Sequence, residues 1–323
     1  SPSFLVAAAT VGGWSTRSVA TGGSSWGSSH ADAGVGVITR GGAGYPPVFD
    51  DDPDPPAVLF HLGRLDALER PRVAIVGTRR CTSAGRSTAR DLGHELAAAG
   101  VCVVSGLASG IDGEAHDGAL AAAAVAPVAV VGTGLDVVYP RRNAALWARV
   151  AAAGCIVSEY PLGSRPERWR FPARNRIIAA LADVVVVVES HARGGSMHTV
   201  DAALERDRPV MAVPGPVRSP ASAGTNDLLA AGCAPVRDAG DVVVALGLDA
   251  GATNRGAPDR RPPPGPLAAA VLEAVGWQTA TVEQLVARVG ESPGRVAVAL
   301  ADLESDGWLV RSGGWVERAP SPG

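Results

Sequence analysis

The 323-residue chain contains no lysine, and all 29 basic residues are arginine. That absence removes whole classes of chemistry. A P-loop needs a lysine on its phosphates, a pyridoxal enzyme needs one for its Schiff base, and a protein kinase needs one on a strand beside ATP. Aromatic residues are scarce too, 4% of the chain against 46% hydrophobic residues in all, so alanine, valine and glycine must fill the core. Thin, closely packed layers of helix and sheet suit that composition better than an aromatic-rich sandwich. The four cysteines, Cys81, Cys102, Cys155 and Cys233, form no CxxC pair. They argue for buried small side chains rather than a zinc ribbon or a disulfide framework. The six histidines show no HExxH or similar spacing, so neither a metal nor another cofactor is expected. No run of about 20 apolar residues would span a membrane, and Phe4 to Val11 lacks the basic flank of a signal peptide, so a cytoplasmic protein with no membrane partner is expected. The net charge of −3 excludes a wholly basic surface, which leaves a local cluster as the form any polyanion site must take.

What is present is a regular alternation of element types. Residues 1–44 are rich in Gly and Ser without periodicity and read as a poorly ordered or truncated N-terminal segment. Short apolar strands then alternate with helical patterns. The strands read as Val73–Val76, Val101–Ser105, Pro127–Val131, Ile156–Ser158, Val184–Val188 and Val210–Val213. The run of valines from Val184 is typical of a parallel strand covered on both faces. Residues 45–247 are therefore expected to form an α/β domain with an extended Rossmann-like, doubly wound, mostly parallel sheet. A Pro/Gly/Arg linker spans 248–265, and residues 266–318 give three short helices and two strands, the order of a small winged-helix domain.

Ligands of an open parallel sheet bind at the carboxyl ends of its strands. The loops there read GTRR (77–80), SGLASGID (105–112), GTGLDVVYP (132–140), SEYPLGSRPERWRFPARNR (158–176), ARGGSMHT (192–199) and PGPVRSPASAGTN (214–226). Glycines, hydroxyls and arginines recur in them, the groups from which phosphate sites are made. For any one loop, glycine can equally serve only a tight turn. The dinucleotide fingerprint is missing, because no GxGxxG follows the first strand and no acidic residue stands in the ribose position. Ser196, at a helix start, reads as an N-cap or phosphate ligand, and His116 as a helix residue holding a loop rather than a base. Arg165, Arg168, Arg170, Arg174 and Arg176 fall in one loop and helix start, interleaved with Trp169 and Phe171. Cations for phosphates and rings for bases hold single strands in that way, although salt bridging with Glu167 and core packing of the rings would use the same residues. The candidate nucleic-acid-binding residues are Gly77, Thr78, Arg79, Ser105, Gly106, Arg168, Arg170, Phe171, Arg174, Asn175, Arg176, Gly195 and Ser196; no catalytic residue is expected.

The ordered series VAIVGTR, VVSGLASGIDGEAH, GTGLDVVYP, SEYPLG, FPARNRIIAALAD, GGSMHTVDAALE, AVPG and GTN resembles the DprA (Smf) family of bacterial DNA-processing proteins. The resemblance implies single-stranded DNA as ligand without catalysis, a homodimer, and delivery of DNA to the RecA recombinase in natural transformation. Two other readings stand beside it. The fold also resembles the lysine-decarboxylase-like phosphoribohydrolases of nucleoside monophosphates, but RGGSMHTV supplies no glutamate at the offset of their PGGxGTxxE motif. A winged-helix regulator of duplex DNA is the third, although the recognition segment SPGRVAVALADLE carries only Arg295 as a cation.

Overall fold

The computed structural model describes residues 30, 32–248, 261–276 and 279–319, and the chain divides into two compact units, 1–253 and 254–323. The larger unit is built on a nine-stranded sheet. Its strands are β1 (Gly36–Thr39), β2 (Val58–Gly63), β3 (Arg72–Val76), β4 (Cys102–Ser105), β5 (Val128–Val130), β6 (Cys155–Ser158), β7 (Val184–Val187), β8 (Val210–Ala212) and β9 (Ala234–Pro235). They lie in the order β1-β2-β6-β5-β4-β3-β7-β8-β9. From β6 to β9 every pairing is parallel. β2 joins β6 antiparallel and carries β1 antiparallel at the edge.

The helices are α1 (Ser83–Ala98), α2 (Ile111–Ala122), α3 (Ala144–Ala153), α4 (Arg170–Leu181), α5 (Met197–Leu204), α6 (Ala223–Ala230) and α7 (Ala239–Ala245). Alternate residues of each central strand face opposite cores. Val73 and Ile75 of β3 and Val184 and Val186 of β7 join α1, α2 and α7 on one side. Ala74, Val76, Val185 and Val187 join α4, α5 and α6 on the other. A strand packed on both faces has no polar side, which is why β7 can be all valine. Each fully buried valine contributes roughly 1.5–3 kcal/mol of hydrophobic stabilisation before entropy is counted.

This is the doubly wound, mostly parallel α/β sheet expected from the sequence. Chain order reverses between β3 and β7, so the switch point, and the crevice above it, falls between the loops that follow those strands. Two corrections concern the ends. Residues 36–39, read as part of a poorly ordered segment to residue 44, form strand β1, and β2 is absent from the sequence reading. The prolines and aspartates of DDPDPPAVLF mask the strand signal of β2, while buried Leu59 and Phe60 and the pairing with β6 supply what local propensity lacks. Residues 1–29 lie outside the described residues, as do 249–260 of the expected linker. Arg206 of the α5–β8 loop meets Asp52 at 2.8 Å, both side chains nearly inaccessible, which pins the segment before β2 to the main body.

The smaller unit holds α8 (Pro266–Val275), α9 (Val282–Val289), α10 (Pro293–Ser305) and a three-stranded antiparallel sheet of β10 (Ala280–Thr281), β11 (Leu309–Ser312) and β12 (Trp315–Arg318). β11 and β12 form the wing hairpin, turned through Gly313 and Gly314 at positive φ. Thr281 and Gln284 make a reciprocal capping box at the start of α9, and Ser292 caps α10. The unit has its own core of Val271, Leu285, Val296, Leu300, Leu309 and Val316. The linker as read ends at 265, yet Arg261 already belongs to this unit, its guanidinium donating to the Gly307 carbonyl and lying 3.9 Å from the Trp308 ring centroid.

Candidate nucleic-acid interface

The helix that follows the first parallel strand normally offers its N-terminus to phosphate. Here the seat is taken from within. The Glu189 carboxylate, on the loop after β7, accepts from the Thr82 amide at 2.9 Å and the Thr82 hydroxyl at 2.6 Å, and Thr82 in turn caps α1 by accepting from the Gly85 amide. Gly85 has no side chain because a Cβ there would collide with that carboxylate. A buried carboxylate at the switch point repels a second anion, so a nucleotide diphosphate cannot occupy the usual Rossmann position. Glu189 is not among the expected site residues. Its signal is its position, an acidic residue one step beyond an all-valine strand.

The other glycines and hydroxyls of the expected site also hold the scaffold. Gly77 lies between Ile111 and the Glu189 carbonyl, and the Thr78 amide donates to that carbonyl at 2.7 Å. The buried Ser105 hydroxyl donates to the Ile75 carbonyl at 2.6 Å. Gly106 leaves room for the Arg174 guanidinium and the Asp112 carboxylate, which a Cβ would strike, and its amide donates to Asp112 at 3.2 Å. Ser196 stands at the N-cap position of α5 but makes no capping hydrogen bond and is closed to a phosphate: its buried hydroxyl donates to Ser190 at 2.8 Å. Its neighbour Gly195 is exposed, with open space above it, and accepts from the Asn175 amide at 3.3 Å.

The arginines divide sharply. Arg174, expected to face an anion, is only 4% exposed and donates to the Val130 carbonyl. Burial first, with repulsion from Arg79, lowers its pKa to about 10, while Asp112 opposes that shift. Burial likewise raises Asp112 above the usual carboxylate range, against the pull of Arg174 and Arg79. His116, wholly inaccessible in the same cluster, is pushed by burial down to about 4 and stays neutral. Arg176 is committed as well, to Asp54 at 2.7 Å and Glu159 at 2.5 Å. Helical periodicity gives the reason. α4 packs its Arg174–Ile177–Ile178–Leu181 stripe against the sheet, and Arg174 falls on that stripe.

What remains at the carboxyl edge is a rim of exposed cations. Arg79 and Arg80 follow β3, Arg141 and Arg142 follow β5, Arg165 and Arg168 follow β6, Arg193 follows β7 and Arg218 follows β8. Among the described residues none of these eight is in an ion pair. Rings are set among them. The Arg79 guanidinium lies 5.1 Å from the centroid of Phe171, whose ring is 5.2 Å from that of Tyr139. Arg170, half-buried, bridges Tyr160 and Trp169 at 4.7 and 5.3 Å and pairs with Glu167 at 2.8 Å. Trp169 stays 49% exposed, its indole nitrogen donating to Glu167 at 2.7 Å. Beside Tyr139 lies a depression of about 530 Å³ lined by Val137, Val138, Arg141, Arg165 and Pro166. Of the expected residues, the fold thus brings Arg79, Arg168, Arg170 and Phe171 to one face, with Thr78, Asn175 and Gly195 partly accessible nearby. Sequence reasoning misses Tyr139, Arg141 and Arg142 as site residues, although YP closes the third of those loops and RR follows it directly. Cationic edges around partly open rings can hold phosphates and stack bases.

Residues 36–247 match the family model of the DNA recombination-mediator protein A, and residues 255–314 match that of the DprA winged helix domain. The chain belongs to the DprA/Smf family. It is 38% identical to protein Smf of Escherichia coli K12, over 84% of this chain and 74% of that one. It is 41% identical to a putative DNA processing protein DprA of Mycobacterium tuberculosis, over 80% and 68%. Among solved structures, DNA processing protein A of Streptococcus pneumoniae superposes with a TM-score of 0.63 at 36% identity, covering 67% of this chain and 77% of that one. The Helicobacter pylori protein of the same name, in a structure concerned with its single-stranded DNA binding mode, gives 0.59 at 32% identity, covering 66% and 95%. The DprA family and the winged-helix fold anticipated for the C-terminal unit both stand. No described helix is long and apolar enough to cross a membrane.

Proposed function

We propose that this chain binds single-stranded DNA with little sequence preference along the arginine rim, and hands it to a RecA recombinase during natural transformation. The observation that carries the reading is the exposed, unpaired arginine edge set around Phe171 and Tyr139, on a protein whose net charge is negative. Phosphate and stacking groups hold any sequence, since base edges are not read. The single-stranded DNA bound by the Helicobacter pylori relative supports the ligand, and the family's description as a recombination mediator supports the delivery step. Homodimerisation rests on the family resemblance, and a cytoplasmic setting on the sequence analysis. The protein acts without turnover or cofactor. Glu189, on the loop after β7, is buried and committed to Thr82, and RGGSMHTV carries no glutamate at the offset of PGGxGTxxE, which leaves a nucleoside monophosphate hydrolase short of its acid.

Fluorescence anisotropy with a mixed-sequence oligonucleotide, single-stranded and as a duplex, tests the reading. Tighter binding of the single strand, across unrelated sequences, is expected. Equal affinity for the duplex, or release of base from nucleoside monophosphates above a protein-free control, would overturn it. Stimulation of RecA filament formation on DNA already coated with single-strand-binding protein tests the delivery step separately.

A further inference from the structure

We propose that helix α10 of the winged-helix unit is a docking surface for a basic, amphipathic segment of another protein, and not a reader of duplex DNA. Helix α10 stands where a winged helix normally carries its groove-reading cations. Its single arginine, Arg295, is held by Glu291 at 2.7 Å. The unit's other described arginines are turned to its own body. Arg288 donates to the Ala274 carbonyl and Arg318 to the Leu272 carbonyl, both at 2.9 Å, Arg261 donates to Gly307, and Arg311 pairs with Glu304 at 3.2 Å.

The outward face of α10 forms instead one wall of a groove of about 760 Å³, closed on the other side by Pro264 to Ala268 at the start of α8. Its apolar lining includes Leu267, Ala268, Val298 and Ala299, with Val298 63% exposed. At its C-terminal end stand Asp302 and Asp306, exposed and outside every ion pair among the described residues. The spacing 295, 298, 299, 302, 306 keeps all of them on one helical face. Carboxylates in a last turn oppose the helix dipole, and α10 has no basic residue there to offset them. An arriving arginine or lysine would meet two carboxylates and the carbonyl end of the helix together. The groove therefore fits a segment that places an apolar side chain over Val298 and a cation beside Asp302 and Asp306.

The test uses the full-length protein and two short labelled helical peptides that share a leucine face, one with arginines on its other face and one with glutamates. The arginine peptide is expected to bind, more weakly as salt rises, and the glutamate peptide to bind at least about tenfold more weakly, about 1.4 kcal/mol. Asp302→Asn with Asp306→Asn should weaken the arginine peptide about fivefold or more, and Val298→Ser should weaken it without changing the salt dependence. Both variants alter exposed side chains, and unchanged melting confirms that they fold. Equal binding of the two peptides, no effect of either variant, or displacement of the arginine peptide by duplex DNA would overturn the proposal.

Discussion

The rim of the large sheet and the winged-helix unit each carry arginines, yet they use them in opposite ways. On the rim, eight guanidinium groups are exposed and outside any ion pair among the described residues. In the smaller unit all five described arginines are bound to carboxylates or to carbonyls of its own helices and loops. A third set, Arg174 and Arg176, shows the limit of reading charge from sequence, since it lies beside the rim in sequence, yet Arg174 is buried and Arg176 is tied to Asp54 and Glu159. The lesson is that a cation's prior commitments, not its presence, decide whether it can meet a phosphate.

The strongest way to break this division is at Arg174. Its removal would leave the buried Val130 carbonyl without that donor, open a cavity and take away part of the charge that offsets Asp112, so Arg174→Ala should cost on the order of 2–4 kcal/mol of stability in chemical denaturation. Wild-type stability with lost DNA binding would return Arg174 to the interface. The same cluster makes a pH prediction. His116 titrates near 4 in the folded chain and near 6.5 when unfolded, so its contribution is complete above the unfolded value and is lost as pH falls through the folded one. Asp112, with its pKa raised, contributes in the opposite sense, its stabilisation being complete at low pH and lost as pH rises. The histidine part is therefore read as a difference: between pH 6.5 and 4 the wild type should lose roughly 3 kcal/mol more than His116→Asn does. Parallel stability profiles for the two proteins would contradict it.

Much of this division is hidden in the sequence, for physical reasons. The parallel strands are legible because each is a run of small apolar residues between turn signals, and the loops at their carboxyl ends mark out the rim. The outer strands β1 and β2 are not, since Gly36 and the Pro/Asp-rich lead into β2 carry weak strand propensity and their order comes from the pairing of β2 with β6 and of β1 with β2. Within FPARNR, residue type announces three polar groups but not which face inward; that depends on the phase of α4, which places Arg174 with Ile177 and Ile178. The short hydroxyls of Ser105 and Ser196 read as ligands because serine serves phosphates, backbone carbonyls and other hydroxyls equally well.

Smaller effects sharpen the comparison at the surface. Phe171→Leu should lower single-strand affinity by roughly 1–3 kcal/mol with an unchanged salt slope, measured by anisotropy across a salt series, if the ring stacks a base beside Tyr139. A drop in melting temperature with affinity intact would make it a packing residue. Arg79→Ala or Arg168→Ala alone should flatten the log-log salt slope by about 0.7 on every sequence while leaving the melting temperature within a degree or so.

The most direct measurement sets the two regions against each other in one salt titration of single-stranded DNA binding. The triple variant Arg79→Ala, Arg141→Ala, Arg168→Ala is compared with Arg288→Ala, Arg295→Ala, Arg311→Ala. The rim variant should lose about 2 from the log-log slope, and the winged-helix variant should keep both slope and affinity. A slope lost equally from both, or from the winged-helix variant alone, would contradict the assignment of the DNA to the rim.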